Sequence, residues 1–145
     1  MAEVSRSALL MYSADEMYQL VNDVNAYPEF LPGCIDAKII THVDNIMNAS
    51  VTVSKAGIKQ VFTTKNSLSE GREINMDLID GPFKYLIGGW HFLPLDEHAC
   101  KVNLDLKFEF SNKLVELAFG RIFNELVGSM VKSFSERAKI VYGVR

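Results

Sequence analysis

The chain has 145 residues, 48% of them hydrophobic and 23% charged, with a net charge of −3. That is the composition of one ordinary folded domain spanning residues 1–145, and it excludes a disordered, collagen-like or coiled-coil chain. The acidic balance also gives no support to a generic nucleic-acid binder, and none to DNA as a partner, because neutralising phosphates calls for a basic surface.

No apolar run reaches the roughly 18–20 residues needed to cross a bilayer. The segment Met1-Ala2-Glu3-Val4-Ser5-Arg6 lacks a basic stretch leading into an apolar secretory core. A cytoplasmic location is therefore expected. Cys34 and Cys100 lie far apart and outside any Cys/His ligand spacing, so they read as structural thiols with no metal site.

In chain order, Glu3 to Leu10 reads as a strand. Ser13 followed by Glu16 has the capping-box spacing, which starts a helix at Ala14 that carries Met17, Leu20, Val21 and Val24 at helical intervals. Tyr27-Pro28-Glu29-Phe30-Leu31-Pro32-Gly33 follows, and its two prolines restrict any helix there to a turn or two. From Ile35 to Phe110 the periodicity changes to two. Turn residues at Asp44-Asn45, Ala56-Gly57, Glu70-Gly71, Asp80-Gly81-Pro82 and Asp96-Glu97-His98 divide it into six strands. Such tight turns allow only antiparallel neighbours, hence a meander. In the last strand Cys100, Val102, Leu104, Leu106, Phe108 and Phe110 alternate with polar residues, which predicts one buried and one solvated face. Ser111 or Asn112 can then cap a helix running to about Tyr142. Its apolar face comprises Phe119, Phe123, Leu126, Val127, Met130, Phe134 and Val141, and Arg121, Glu125, Lys132, Glu136 and Lys139 lie opposite. At 1.5 Å per residue such a helix reaches about 45 Å. The economical architecture is α+β, a curved antiparallel sheet gripping one long C-terminal helix.

Sequence-local chemistry is sparse. His42, His91 and His98 are scattered, and Glu73, Asp77, Asp105 and Glu109 fall on polar strand faces, so no catalytic or metal-binding set is assigned. Gly88-Gly89-Trp90 marks a bend or a close approach within a strand, either seating a core Trp under the helix or walling a pocket. Trp90 and Phe92 share the parity of Leu86, and Lys84 breaks it. The Tyr27–Gly33 connection is too apolar for a solvent loop and reads as a lid or a plug, with Phe83 of the Asp80-Gly81-Pro82-Phe83 turn at the same opening.

Taken together, Tyr27-Pro28-Glu29-Phe30-Leu31-Pro32-Gly33, Val53-Ser54-Lys55-Ala56-Gly57, Asp80-Gly81-Pro82-Phe83, Gly88-Gly89-Trp90 and Asn112-Lys113-Leu114 resemble the START-like (SRPBCC) superfamily. Within it the chain is similar to the oligoketide cyclase/lipid transport branch, which includes ribosome association toxins and is related to mitochondrial coenzyme Q-binding proteins. The resemblance covers Val4 to Tyr142 and implies a helix-grip fold with a seven-stranded antiparallel sheet.

For function the resemblance implies non-catalytic binding of a hydrophobic small molecule or lipid, ubiquinone or a related isoprenoid, in support of respiration. Transient contact with a membrane surface would accompany that role, and no cofactor is implied beyond the ligand itself. Each CH₂ buried contributes about 0.8 kcal/mol. Parity and helix phase select Phe62, Met76, Leu78, Trp90, Phe92 and Phe108 from the sheet, and Phe123, Val127 and Met130 from the helix, as the lining. Tyr27, Pro28, Phe30, Leu31 and Phe83 would form the gate. The alternative implied is a toxin that binds the large ribosomal subunit and blocks subunit association, through basic residues such as Lys55, Lys59, Lys65, Arg121, Lys132, Arg137 and Lys139. Polyketide cyclisation is the third implication. It needs placed acid, base or oxyanion groups, and inward faces that read as almost wholly apolar do not favour it.

Overall fold

The computed structural model describes residues 2–144. Strand β1 (Ala2–Leu10) leads into helix α1 (Ala14–Asn22) and a 3₁₀ segment (Val24–Glu29). Strands β2 (Cys34–Val43), β3 (Ile46–Lys55), β4 (Ile58–Ser69), β5 (Glu73–Asp80), β6 (Phe83–Asp96) and β7 (Ala99–Phe110) follow, and helix α2 (Lys113–Tyr142) completes the chain. The strands form one seven-stranded sheet in the order β1-β7-β6-β5-β4-β3-β2, with every pairing antiparallel. The short turns fix the β2-to-β7 meander. Pairing with the first strand then covers the free side of β7.

The local signals act as their chemistry requires. Ser13 Oγ accepts from Glu16 N at 3.1 Å, and Glu16 Oε1 accepts from Ser13 N at 2.9 Å, the reciprocal capping box at the start of α1. Asn112, rather than Ser111, caps α2, its Oδ1 accepting from Val115 N at 2.9 Å. On β7 the six alternating apolar side chains are buried on the concave face. Phe119, Phe123, Leu126, Val127, Phe134 and Ala138 of α2 are buried against that face. Val141 departs from expectation at 49% exposed. Steps of four from Phe134 carry the inward stripe through Ala138 to Tyr142, and Tyr142 Oη donates to the Glu16 carbonyl at 2.8 Å.

The bend at Gly88-Gly89 comes from the sheet itself. A Cβ on Gly88 would collide with the Asp105 carbonyl oxygen, and one on Gly89 with that of Ile74. The close neighbours are thus the backbones of the flanking strands. Gly88 adopts φ +149°, a conformation that side-chain-bearing residues rarely take. The register shift between Phe83 and Tyr85 lets both Phe83 and Leu86 face inward with Lys84 outside.

A candidate ligand cavity between sheet and helix

Curvature of the sheet under α2 leaves a cavity of about 60 Å³. The sheet contributes Ala49, Val51, Phe62, Thr64, Asn66, Met76, Leu86, Trp90 and Leu106 to its walls. The segment after α1 contributes Val24, Tyr27 and Leu31, the start of β2 contributes Cys34, and α2 contributes Phe123, Leu126, Val127 and Met130. Drug-sized ligands occupy roughly 300 Å³ or more, so this conformation is contracted, and a long molecule enters only if the walls separate.

Phe62, Met76, Trp90, Phe123, Val127 and Met130 of the expected lining meet at this cavity, together with Tyr27 and Leu31 from the expected gate. Three expected lining residues stand elsewhere. Phe92 stacks on Trp90 with centroids 6.3 Å apart and meets the Tyr18 ring edge-on at 5.9 Å, which places it between the sheet and α1. Phe108 belongs to an aromatic cluster at the other end of the grip, 4.9 Å from Phe123 and 6.1 Å from Phe83. Leu78 is half-buried beside Gly81, under the β5–β6 turn. Parity gives the correct face for each of these. It does not give the position along that face, which depends on how α2 crosses.

The expected gate divides similarly. Tyr27 is buried, donates its hydroxyl to the Val21 carbonyl, and meets Phe134 edge-on at 5.5 Å. Phe30 packs on Phe134 at 5.1 Å, and the Arg137 guanidinium lies over its ring at 5.0 Å. The connection therefore plugs the grip by docking on the second half of α2. Pro28 is within the 3₁₀ segment, and neither it nor Phe30 reaches the cavity. Phe83 is also absent from the cavity wall, buried and stacked on Phe110 at 5.2 Å.

Sequence reasoning missed two polar residues in this wall. Thr64 and Asn66 are 7% and 6% exposed, and Thr64 Oγ1 donates to Asn66 Oδ1 at 2.8 Å. The signal was present, since the parity that turns Phe62 and Leu68 inward turns Thr64 and Asn66 inward too. The titratable groups of the lining are Tyr27 and Cys34. Burial chiefly raises the Tyr27 phenol above its ordinary value, with the charges of Cys34 and Asp23 adding to it. Burial likewise pushes the Cys34 thiol up to about 11, against the lowering effect of its hydrogen bond to the Asp36 backbone. Both groups are protonated at neutral pH.

The histidines remain outside, with His91 Nδ1 3.0 Å from Glu73 Oε2. Among the described residues no group of His, Cys, Asp or Glu could hold a metal ion, and no helix is long and apolar enough to cross a membrane. The basic residues do not converge. Lys55 and Arg121 both pair with Glu125, at 3.1 and 3.3 Å, which holds its carboxyl below the usual range. Arg137 is engaged with Phe30 and with Glu29 at 3.6 Å. Lys59 and Lys65 project from the convex side of β4, and Lys132 and Lys139 from the outer side of α2, all exposed.

The chain is 60% identical over 143 residues to the ribosome association toxin RatA of Vibrio cholerae, covering 99% of each. It is 27% identical over 145 residues to the mitochondrial coenzyme Q-binding protein COQ10 homolog B of Xenopus laevis, covering 97% of this chain and 59% of that one. A START superfamily protein from Mycobacterium smegmatis has the same fold, with a TM-score of 0.76 at 20% identity over 93% of this chain and 95% of that one. The family model for polyketide cyclase/dehydrase and lipid transport matches residues 10–135. With the helix-grip architecture and this match over most of its length, the chain belongs to the polyketide cyclase/dehydrase and lipid transport family.

Proposed function

We propose that the chain associates with the large ribosomal subunit in the cytoplasm and blocks subunit joining. The observation that carries this reading is the 60% identity, over 99% of both chains, with a protein named for ribosome association. Contact with ribosomal RNA would use exposed lysines such as Lys59 and Lys65, and would release counterions from the phosphates. In sucrose gradients at low salt, added protein is expected to sediment with the large subunit and to reduce the joined particles, and rising salt should release it. Protein that stays at the top of the gradient at every salt concentration overturns the reading.

A second reading concerns the interior, and the cavity under α2 favours it. We infer that the cavity holds an apolar molecule, ubiquinone or a related isoprenoid, collected by transient contact with a membrane surface and held without chemistry. Its support is the mostly apolar lining and the likeness to a coenzyme Q-binding protein. Tyr27 and Cys34, both kept protonated by burial, offer no base for a cyclase. Native mass spectrometry with organic extraction of protein purified from its host should find an isoprenoid. Protein that carries none, and takes up none when quinone is offered, ends this reading. The lysines lie outside and the cavity inside, so one fold can serve both roles.

A further inference from the structure

Asn66 stands out in the cavity wall, an amide at 6% exposure among mainly apolar side chains. Its Oδ1 accepts from Thr64 Oγ1, which orients the head group and leaves the amide nitrogen, with two N–H donors, without a partner among the described residues. The other polar groups of the wall are committed. Tyr27 Oη donates to the Val21 carbonyl, and Cys34 Sγ to the Asp36 carbonyl at 3.6 Å. Among the described residues no charged side chain lines the cavity. A carboxylate or phosphate there would be buried without a counter-charge, which is strongly unfavourable. A neutral oxygen that accepts a hydrogen bond would satisfy one of these two N–H donors.

We propose that Asn66, oriented by Thr64, is the polar anchor of the cavity, and that its ligand is a neutral lipid bearing a carbonyl-type oxygen. This rests on the cavity reading above and adds to it the class of ligand and the residue that selects it. A site built to hydrogen-bond its ligand rejects the analogue lacking the acceptor, because the buried donor is then left unpaired.

The test uses the full chain and three probes of matched length, methyl decyl ketone, dodecane and dodecanoate, each displacing fluorescent N-phenyl-1-naphthylamine. The ketone is expected to displace the dye at roughly tenfold lower concentration than the alkane, about the value of one hydrogen bond, and dodecanoate is expected to be weaker than the ketone. Asn66→Leu should bring ketone and alkane within about twofold. Thr64→Val, which removes the orienting hydroxyl at nearly constant shape, should lower the ketone preference. Equal displacement by ketone and alkane in the wild type, a preference for dodecanoate, or a ketone preference that survives Asn66→Leu overturns the anchor and leaves the cavity reading standing. Failure of the dye and all three probes to bind the wild type overturns both. The wild-type series decides the matter even where a variant does not fold.

Discussion

Cys34 and Cys100 are free, buried thiols, and each is raised to about 11, mainly by burial, with the Asp36 charge adding at Cys34 and the Glu16 charge at Cys100. The unfolded chain ionises them near 9, ahead of the folded one. Their contribution to stability is therefore whole below pH 9 and is lost as pH rises from about 9 to 11. Denaturation followed from pH 8 to 11 should show falling stability with a shallower slope in the Cys34→Ala/Cys100→Ala variant, and at pH 8 iodoacetamide should modify neither thiol in the folded protein. Gly88 and Gly89 carry a second prediction at this scale. Gly88→Ala or Gly89→Ala sets a methyl against a neighbouring strand's carbonyl oxygen, and each should cost at least about 3 kcal/mol, read by chemical denaturation. Thr64 and Asn66 add a polar patch to the apolar wall, and they are hard to find because Thr-Thr-Lys-Asn within a strand looks like a solvated edge even though Phe62 and Leu68 share their parity.

Among the elements, the Tyr27–Gly33 connection is the one whose reading stayed divided between lid and plug. Packing decides its position here, because Phe134 of α2 receives both Tyr27 and Phe30 while Arg137 covers the Phe30 ring. These contacts join segments more than a hundred residues apart in sequence, so local patterning is silent about them. Tyr27→Phe keeps the ring packing and removes the hydroxyl from the Val21 carbonyl. A loss of about 1–2 kcal/mol is expected, with faster amide exchange confined to residues 24–33. Unchanged exchange there would mean that ring packing alone holds the plug. The helices show the opposite case. Ser13, Glu16 and Asn112 cap their helices through neighbours three residues away, and such signals need no tertiary information to be read.

For the whole molecule, the distribution of charge bears on ribosome contact. Lys132 and Lys139 share Glu136 within one helical turn, which weakens their field. On the convex face Lys59 stands opposite Ser54 of β3, whereas Lys65 stands between Asn48 of β3 and Asp77 of β5. With no carboxylate facing Lys59 across the sheet among the described residues, Lys59→Glu/Lys65→Glu should reduce co-sedimentation with the large subunit at least tenfold, most of it from Lys59, while leaving the melting temperature within a few degrees. The corresponding reversal at Lys132 and Lys139 should weaken it less. An equal or opposite ranking would move the contact surface to the back of α2.

Sequence alone determined the element order, the antiparallel meander, the cap of α1 and most of the apolar stripe of α2, because each depends on neighbours a few residues apart, on periods of 2 or 3.6, or on the length of a turn. Only the tertiary structure decided which inward residues meet at the cavity. It set Phe92 against α1 and Phe108 in the aromatic cluster, and it tied up Lys55, Arg121 and Arg137 in contacts on their own chain. The physical reason is that periodicity assigns a side chain to a face, whereas its place on that face depends on sheet curvature and on the path of a thirty-residue helix across it.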